Sequence, residues 1–225
     1  MMKILWLGRL ICVGLLFGGF APAMAQQFSA DIVTTRDNAA VPAGRLWVLD
    51  GNGRIETPEL PNGFFLVDSA KPSAYFVRPA THVYMDARQS SRLTQLFVPV
   101  DPNEPCRSWQ AMAQLAGAAG QAEWRCERAS EEEVDGRKAA VFRIASAEKQ
   151  EFLVWLDPER RFPLRIKTAD GTIIALEHIR DEAQPASLFE LPRDLRKFSP
   201  EALIERIKQS DVWVSEPNGD GSLER

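Results

Sequence analysis

The sequence predicts a mainly-β domain of the α+β class, an antiparallel sheet covered by two or three helices. Residues 139–179 read as four consecutive antiparallel strands, and residues 28–86 read as a meander of about six more. Between and after these blocks the apolar spacing changes from two to that of a helix, which supplies the covering elements.

Before the fold comes a segment of another kind. Lys3 and Arg9 give a basic start, Leu10 to Phe20 an apolar run, and Ala23-Met24-Ala25 a small-x-small site ahead of Gln26. This reads as a secretory signal peptide over 1–25, cleaved after Ala25, and the run is short for a bilayer span. Cys12 follows Ile11, which is not small, so the segment lacks the look of a lipidation site. The expected destination is the periplasm.

The mature chain then holds 200 residues, enough for one domain with a sizeable core, expected over 26–215. Phe28, Ala30, Ile32 and Thr34 alternate along the first strand, Phe28 to Arg36. Residues 38–44 read as a loop. Arg45 to Asp50 is a strand, the Gly51-Asn52-Gly53 turn leads into RIETPEL, and Pro61-Asn62-Gly63 turns into FFLVDS. SAYFV (Ser73 to Val77) and THVYMD (Thr81 to Asp86) complete the first meander.

Next, Ser90 to Val98 can form a short helix with Leu93, Leu96 and Phe97 on one side, and the three prolines of 98–105 impose a loop. A second helix begins at Ser108, with Trp109, Met112, Leu115 and Ala116 at helical spacing and Gly117 and Gly120 at its end. Its apolar stripe is expected to pack on the sheet. Trp124 to Arg128 returns to strand, and Glu131, Glu132 and Glu133 read as a solvated hairpin end closed by Asp135-Gly136.

In the second block, Ala140, Phe142 and Ile144 alternate with Val141, Arg143 and Ala145; Phe152, Val154 and Leu156 alternate with Leu153 and Trp155. Leu164 and Ile166 oppose Arg165 and Lys167, and Ile173, Ala175 and Ile179 oppose Ile174, Leu176 and His178. Asp170-Gly171 predicts a two-residue hairpin turn with positive φ at both positions. The central strand is apolar on both faces, so each face needs cover. A short apolar anchor, Leu188, Phe189 and Leu191, follows. Ser199-Pro200-Glu201 is a helix-start signature for an amphipathic helix carrying Leu203, Ile204 and Ile207, and 216–225 reads as a disordered tail.

Charge and cysteines narrow the function. The chain has 27 Lys and Arg against 31 Asp and Glu; without Lys3 and Arg9 the mature part carries 25 against 31, a formal −6. An acidic balance disfavours nucleic acid and anionic lipid surfaces as main partners. No later stretch is long and apolar enough for a transmembrane helix, so an integral membrane protein is not expected. In an exported chain the isolated pair Cys106 and Cys126 reads as one disulfide, closing a loop worth roughly 3 kcal/mol.

Catalytic patterns are sparse. There is no G-x-S-x-G, P-loop or Rossmann glycine pattern, and a triad would have to use His82 or His178, both in expected strands. No H-E-x-x-H or clustered ligand set occurs, so neither metal nor cofactor is implied, and an enzyme is not expected. What the chain does supply is apolar surface. Trp47, Phe64, Phe65, Tyr75, Phe76, Tyr84, Phe142, Phe152 and Trp155 all lie in expected strands. A curved sheet under helices can use its concave side as a slot for an apolar ligand; equally, the helices can fill it.

Four segments carry a resemblance: GRLWVLDGNGRIE (Gly44 to Glu56), YFVRPATHVYMD (Tyr75 to Asp86), FLVWLDPERRFPLRIKT (Phe152 to Thr168) and PASLFELPRDL (Pro185 to Leu195). Within them stand a W-x-D…P-L-R pattern (Trp155, Asp157, Pro163, Leu164, Arg165) and the closing S-L-F-E-L-P (Ser187 to Pro192). In these features the chain resembles the LolA/LolB-like superfamily of periplasmic lipoprotein carriers and receptors. The resemblance implies a curved, incomplete antiparallel β-barrel of about eleven strands, lidded by helices, whose apolar interior accepts lipid acyl chains or a lipidated partner. It implies Trp47, Phe65, Phe76, Phe142, Val154 and Leu156 as interior lining, with Trp155 taking a place there if the register shifts by one, and Arg54 as the contact that holds the lid. The chain departs from the carriers in its cysteine pair, its helix around Trp109 and its C-terminal helix. What the resemblance then implies is lipid binding or sensing in the envelope, with an envelope protein as a further partner. The alternative is a non-catalytic interaction module with a filled core.

Overall fold

The computed structural model describes residues 26–69, 71–87, 93–115, 125–145 and 151–200. The stretches expected to form a signal peptide, the end of the helix around Trp109, a C-terminal helix and a tail, together with Trp124, lie outside these residues. The described chain forms one open, curved sheet of twelve strands. In chain order they are β1 (Gln27–Arg36), β2 (Ala39–Leu49), β3 (Asn52–Glu56), β4 (Phe64–Asp68), β5 (Ser73–Arg78) and β6 (Val83–Asp86), then β7 (Arg125–Val134), β8 (Arg137–Ala145), β9 (Glu151–Asp157), β10 (Phe162–Lys167), β11 (Ile173–Arg180) and β12 (Arg196–Lys197). Two helices, α1 (Leu93–Leu96) and α2 (Pro105–Leu115), stand between the two runs.

Neighbouring strands follow the order β12-β6-β5-β4-β3-β2-β1-β11-β10-β9-β8-β7. Each meander is therefore sequential, and the two are joined where β1 pairs with both β2 and β11. The sheet does not close: β7 forms one margin and the short parallel strand β12, against β6, forms the other.

Turn chemistry explains the tight hairpins. Asp37-Asn38, Asp50-Gly51 and Asp135-Gly136 all have positive φ at both residues, as a two-residue turn matching the strand twist requires. The Asp37-Asn38 turn corrects the loop expected over 38–44, because Ala39 enters β2 directly after it. Asn and Asp tolerate the left-handed region, whereas AAVPAG offers little strand propensity to read. At 170–171 only Gly171 has positive φ (82°). Thr168 N–H and Gly171 N–H bond Thr172 O and Thr168 O, and the Thr168 hydroxyl donates to the Asp170 carboxylate, so three residues, 169–171, stand between the bonded Thr168 and Thr172 rather than two.

Two further expectations shift. Helix α2 starts at Pro105, not Ser108, which puts Cys106 inside its first turn. The charged run Glu131 to Glu133 is part of β7, whose ladder to β8 extends to Val134 past a bulge at Arg128 and Ser130.

The alternation places two apolar sets on opposite sides. Phe28, Ala30, Ile32, Leu46, Val48, Ile55, Phe65, Val67, Phe142, Ile144, Val154, Leu156, Ile166 and Leu176 face the helices and form the main core with Phe97, Trp109 and Met112. On the outer side, Val141, Trp155 and Leu164 form one cluster, and Phe64, Leu66 and Val77 another, over which Leu191 and Leu195 of the closing segment pack. Strand β12 fastens that segment: Arg196 N–H bonds His82 O (3.1 Å), Phe198 N–H bonds Tyr84 O (2.7 Å), and Lys197 pairs with Asp86 (3.0 Å). Hydrogen bonding to Asp86 raises the pKa of Lys197.

Candidate functional site: the covered face of the open sheet

The covered face owes its apolar character to side chains from nine of the described strands, and its shape to the curvature of one sheet. Aromatic rings brace it. Phe28 and Phe162 meet edge to face with centroids 5.2 Å apart, Phe97 stacks 6.5 Å from Phe162, and Phe65 lies 5.0 Å from Phe76. Every member of this cluster is hydrophobic, so a charged or strongly polar group brought among them would lose its water without a partner.

Helix α2 has a particular place. It rests against β5 near one side of the sheet and against β7, the opposite margin, so it bridges the opening that the unclosed sheet leaves. Trp109, 1 % exposed, and Met112 drive its apolar face inward, and the Trp109 indole Nε1–H donates to Leu96 O at 3.1 Å, linking α2 to α1. A disulfide between Cys106 and Cys126 ties the first turn of α2 to β7, with Cα atoms 5.7 Å apart. On the β7 side the helix is thus held covalently, and on the β5 side by packing.

The sequence-derived lining residues divide between the faces. Phe65, Phe76, Phe142, Val154 and Leu156 lie together on the covered face. Trp155 points the other way: its register partner is Val141, it sits in the outer cluster, and its indole N–H donates to Glu132 (2.7 Å) under the Arg165 guanidinium. Trp47 is also outside, between the buried Leu46 and Val48 and beneath Arg45. Among the described residues, the hydrogen bonds of Arg54 go to neither α1 nor α2. It stacks on Phe64 (3.5 Å), pairs with Glu56 (2.7 Å) and donates to Leu188 O (3.3 Å), holding the closing segment on the outer face. Phe28, Phe97 and Phe162 join the covered face unforeseen. Alternation along β1 and β10 brings in Phe28 and Phe162, and Phe97 follows from the apolar side of the short helix that ends beside it.

At one end of the sheet a polar lock closes the β9–β10 turn. Asp157, 3 % exposed, accepts the N–H groups of Glu159 (2.9 Å) and Arg160 (3.0 Å) and pairs with the Arg160 guanidinium (2.8 Å). Arg160 also pairs with Asp181, and its carbonyl accepts the Gln26 side-chain amide. Burial works to lower the Arg160 pKa, but the bonds to Asp181 and Asp157 outweigh it and the net shift is upward. The histidines lie away from this face. His82 pairs with Asp194 (2.8 Å) and His178 with Asp31 (3.1 Å), both exposed and both at positive φ. Among the described residues no three His, Cys, Asp or Glu side chains gather as a metal-holding group. No described helix is long and apolar enough to cross a membrane.

No family model matches the chain, and no curated protein matches its sequence. Solved structures share parts of its shape. A PNGF-II structure aligns at TM-score 0.48 and 5% identity over 81% of this chain, which spans only 33% of that one. A LolA superfamily protein from Nitrosomonas europaea aligns at 0.34 and 15% identity, covering 76% of this chain and 91% of the other. The Pseudomonas aeruginosa MucA/MucB complex aligns at 0.36 and 13% identity over 76% and 57%. At these values the likenesses assign neither family nor function, and the functional reading rests on the geometry of the covered face.

Proposed function

We propose that this chain is a binding protein of the cell envelope that takes an acyl chain, from a lipid or a lipidated partner, between the covered face of its sheet and the α1–α2 lid. One observation carries the reading: a concave face with a broad apolar cluster is closed by a helix that bridges the sheet's opening and is anchored covalently on one side alone. Such a lid can swing on its disulfide while the sheet stays folded.

Magnitudes favour exchange over permanent closure. Burying a sixteen-carbon chain is worth roughly 13 kcal/mol at about 0.8 kcal/mol per methylene. Lifting Trp109, Met112, Leu96 and Phe97 from the face costs about 1.5–3 kcal/mol each. The two sums are comparable, so a bound chain would replace the lid's side chains reversibly. Export would place the protein where its disulfide persists.

A specific observation favours the second reading, an interaction module with a filled core: Val154 and Leu156 are wholly buried and Phe65 is 2 % exposed beneath the lid. Equilibrium titration of residues 26–225 with a fluorescent hexadecanoic acid, alongside solvent extraction of protein purified from the envelope, separates the two. The binding reading expects saturable uptake that grows when Cys106 and Cys126 are both serine. No uptake by either form and no extracted lipid would leave the filled-core module in its place.

A further inference from the structure

We infer that the overhanging edge of β2 and the groove beside it form a docking site for an extended peptide strand bearing an acidic residue among apolar ones. Strand β2 pairs with β1 along its whole length, Ala39 to Leu49, but with β3 only from Arg45 to Leu49. β3 ends at Glu56, where the chain leaves the sheet through successive turns closed by Leu60 N–H to Thr57 O and Gly63 N–H to Leu60 O, both 3.1 Å. On the β3 side, Ala39 to Gly44 therefore have no ladder partner among the described residues, and Pro42 and Gly44 of this stretch border a groove of about 600 Å³.

Composition sets this edge apart from the sheet's own margin. β7 carries Glu127, Arg128 and Glu131 to Glu133, charges of the kind that keep an open edge from pairing with another chain. The β2 overhang is Ala-Ala-Val-Pro-Ala-Gly, with no charge, and its Val41 is 54% exposed. Pro42 removes one donor but leaves the other backbone groups. The groove continues the apolar character with Pro61, Phe64 and Leu60, the last 39% exposed.

Two features of the groove point to what enters it. Thr57 is 8% exposed and lines the groove, yet its hydroxyl has no hydrogen-bond partner. Buried hydroxyls are normally satisfied, and the backbone of an added strand would supply what this one lacks. Among the side chains that line the groove two guanidiniums meet one carboxylate, while Asp31, opposite Arg45 on β1, and Glu182 act on Arg45 from its other side. Glu56 is bound by Arg54 through Nε (3.0 Å) and Nη2 (2.7 Å), while Arg45, across the ladder from Glu56, stacks over Trp47 at 5.2 Å. An acidic side chain two places along an added strand from an apolar one would meet Arg45 as its neighbour meets Leu60 and Phe64. Strand addition of this kind draws affinity from the main chain and specificity from alternate side chains.

The site is distinct from the acyl-chain slot, and fatty-acid uptake and peptide binding are separate readouts. The probe is a fluorescein-labelled peptide, Thr-Val-Glu-Val-Thr-Val-Thr, read by anisotropy against residues 26–225. Two controls accompany it: the same peptide with Lys for Glu, and one N-methylated at alternate residues. A dissociation constant on the order of 10–100 μM is expected for the Glu peptide, and roughly tenfold weaker binding for the Lys peptide. Arg45→Glu should reverse that preference, Ala40→Pro, at a residue whose N–H faces the open edge, should abolish binding, and both variants should keep the far-ultraviolet circular dichroism of the parent. Binding that survives N-methylation, ignores Arg45→Glu, or is absent for every peptide overturns the site. So does a concentration-dependent dimer that Ala40→Pro disperses while no peptide binds, since the edge would then pair with a second copy.

Discussion

The Trp109 indole donates to the carbonyl of Leu96 from inside the apolar space of the sheet, 3.1 Å away, and so joins the two lid helices. Trp109→Phe keeps most of the ring's volume but leaves that carbonyl unpaired in the core. A loss of about 1–3 kcal/mol in urea unfolding is expected, and Trp109→Ala should lose about 3–5 kcal/mol through the cavity it opens. A phenylalanine variant as stable as the parent would show that Leu96 finds another donor.

Removing the tether tests the lid from its other side. Replacing Cys106 and Cys126 together by serine should lower stability by roughly 3 kcal/mol, the loop-closure value for their separation, with a sheet-type circular dichroism spectrum retained. Hydrogen exchange should then rise in α2 and β7 before it rises in β1 or β11, because β1 is paired on both sides. Uniform exchange throughout would mean that the lid and sheet open together.

Asp157→Asn addresses the lock at the β9–β10 turn. Asparagine can still accept a turn N–H, but Arg160, whose side chain is 11 % exposed and whose Nε has no partner, loses its buried counter-charge. Breaking one side of such a pair typically costs about 3–5 kcal/mol. Guanidinium denaturation measures it, and Asp181→Asn, at the exposed end of the same pair, should cost clearly less.

Acid stability should carry the signature of Glu182. The hydroxyl of Ser29, wholly buried, donates to its carboxylate at 2.6 Å and holds its pKa below the usual carboxylate range. A depressed folded-state pKa contributes stability above the unfolded-state value, and that contribution is lost as the pH falls through the folded-state value. Ser29→Ala should therefore weaken the protein at neutral pH and lessen its further loss in acid. Carbon-13 titration of the Glu182 carboxyl should show its pKa moving up in the variant; an unmoved value would assign the depression elsewhere.

Much of the architecture was legible because it is local. Alternation in Ala140 to Leu156 and in Phe28 to Thr34, and the left-handed pair at Asp135-Gly136, depend on neighbours within a few positions, whereas the turn expected at Gly51 to Gly53 falls at Asp50-Gly51. The β2 overhang escaped notice for the same reason: Ala39 to Gly44 carry weak local preferences and are strand because β1 pairs with them.

The amino-acid sequence by itself determined that this chain is a two-meander antiparallel sheet with a cysteine-tied apolar helix between its halves, since propensity, spacing and turn residues are properties of short segments. Only the tertiary structure decided which face is covered. It sent Phe142 inward and Trp155 outward, gave Arg54 the carbonyl of Leu188 rather than a lid contact, and set α2 across the sheet's opening. Curvature and register are set by pairings across the whole sheet. A shift of one residue exchanges the faces, and no local pattern records which was chosen.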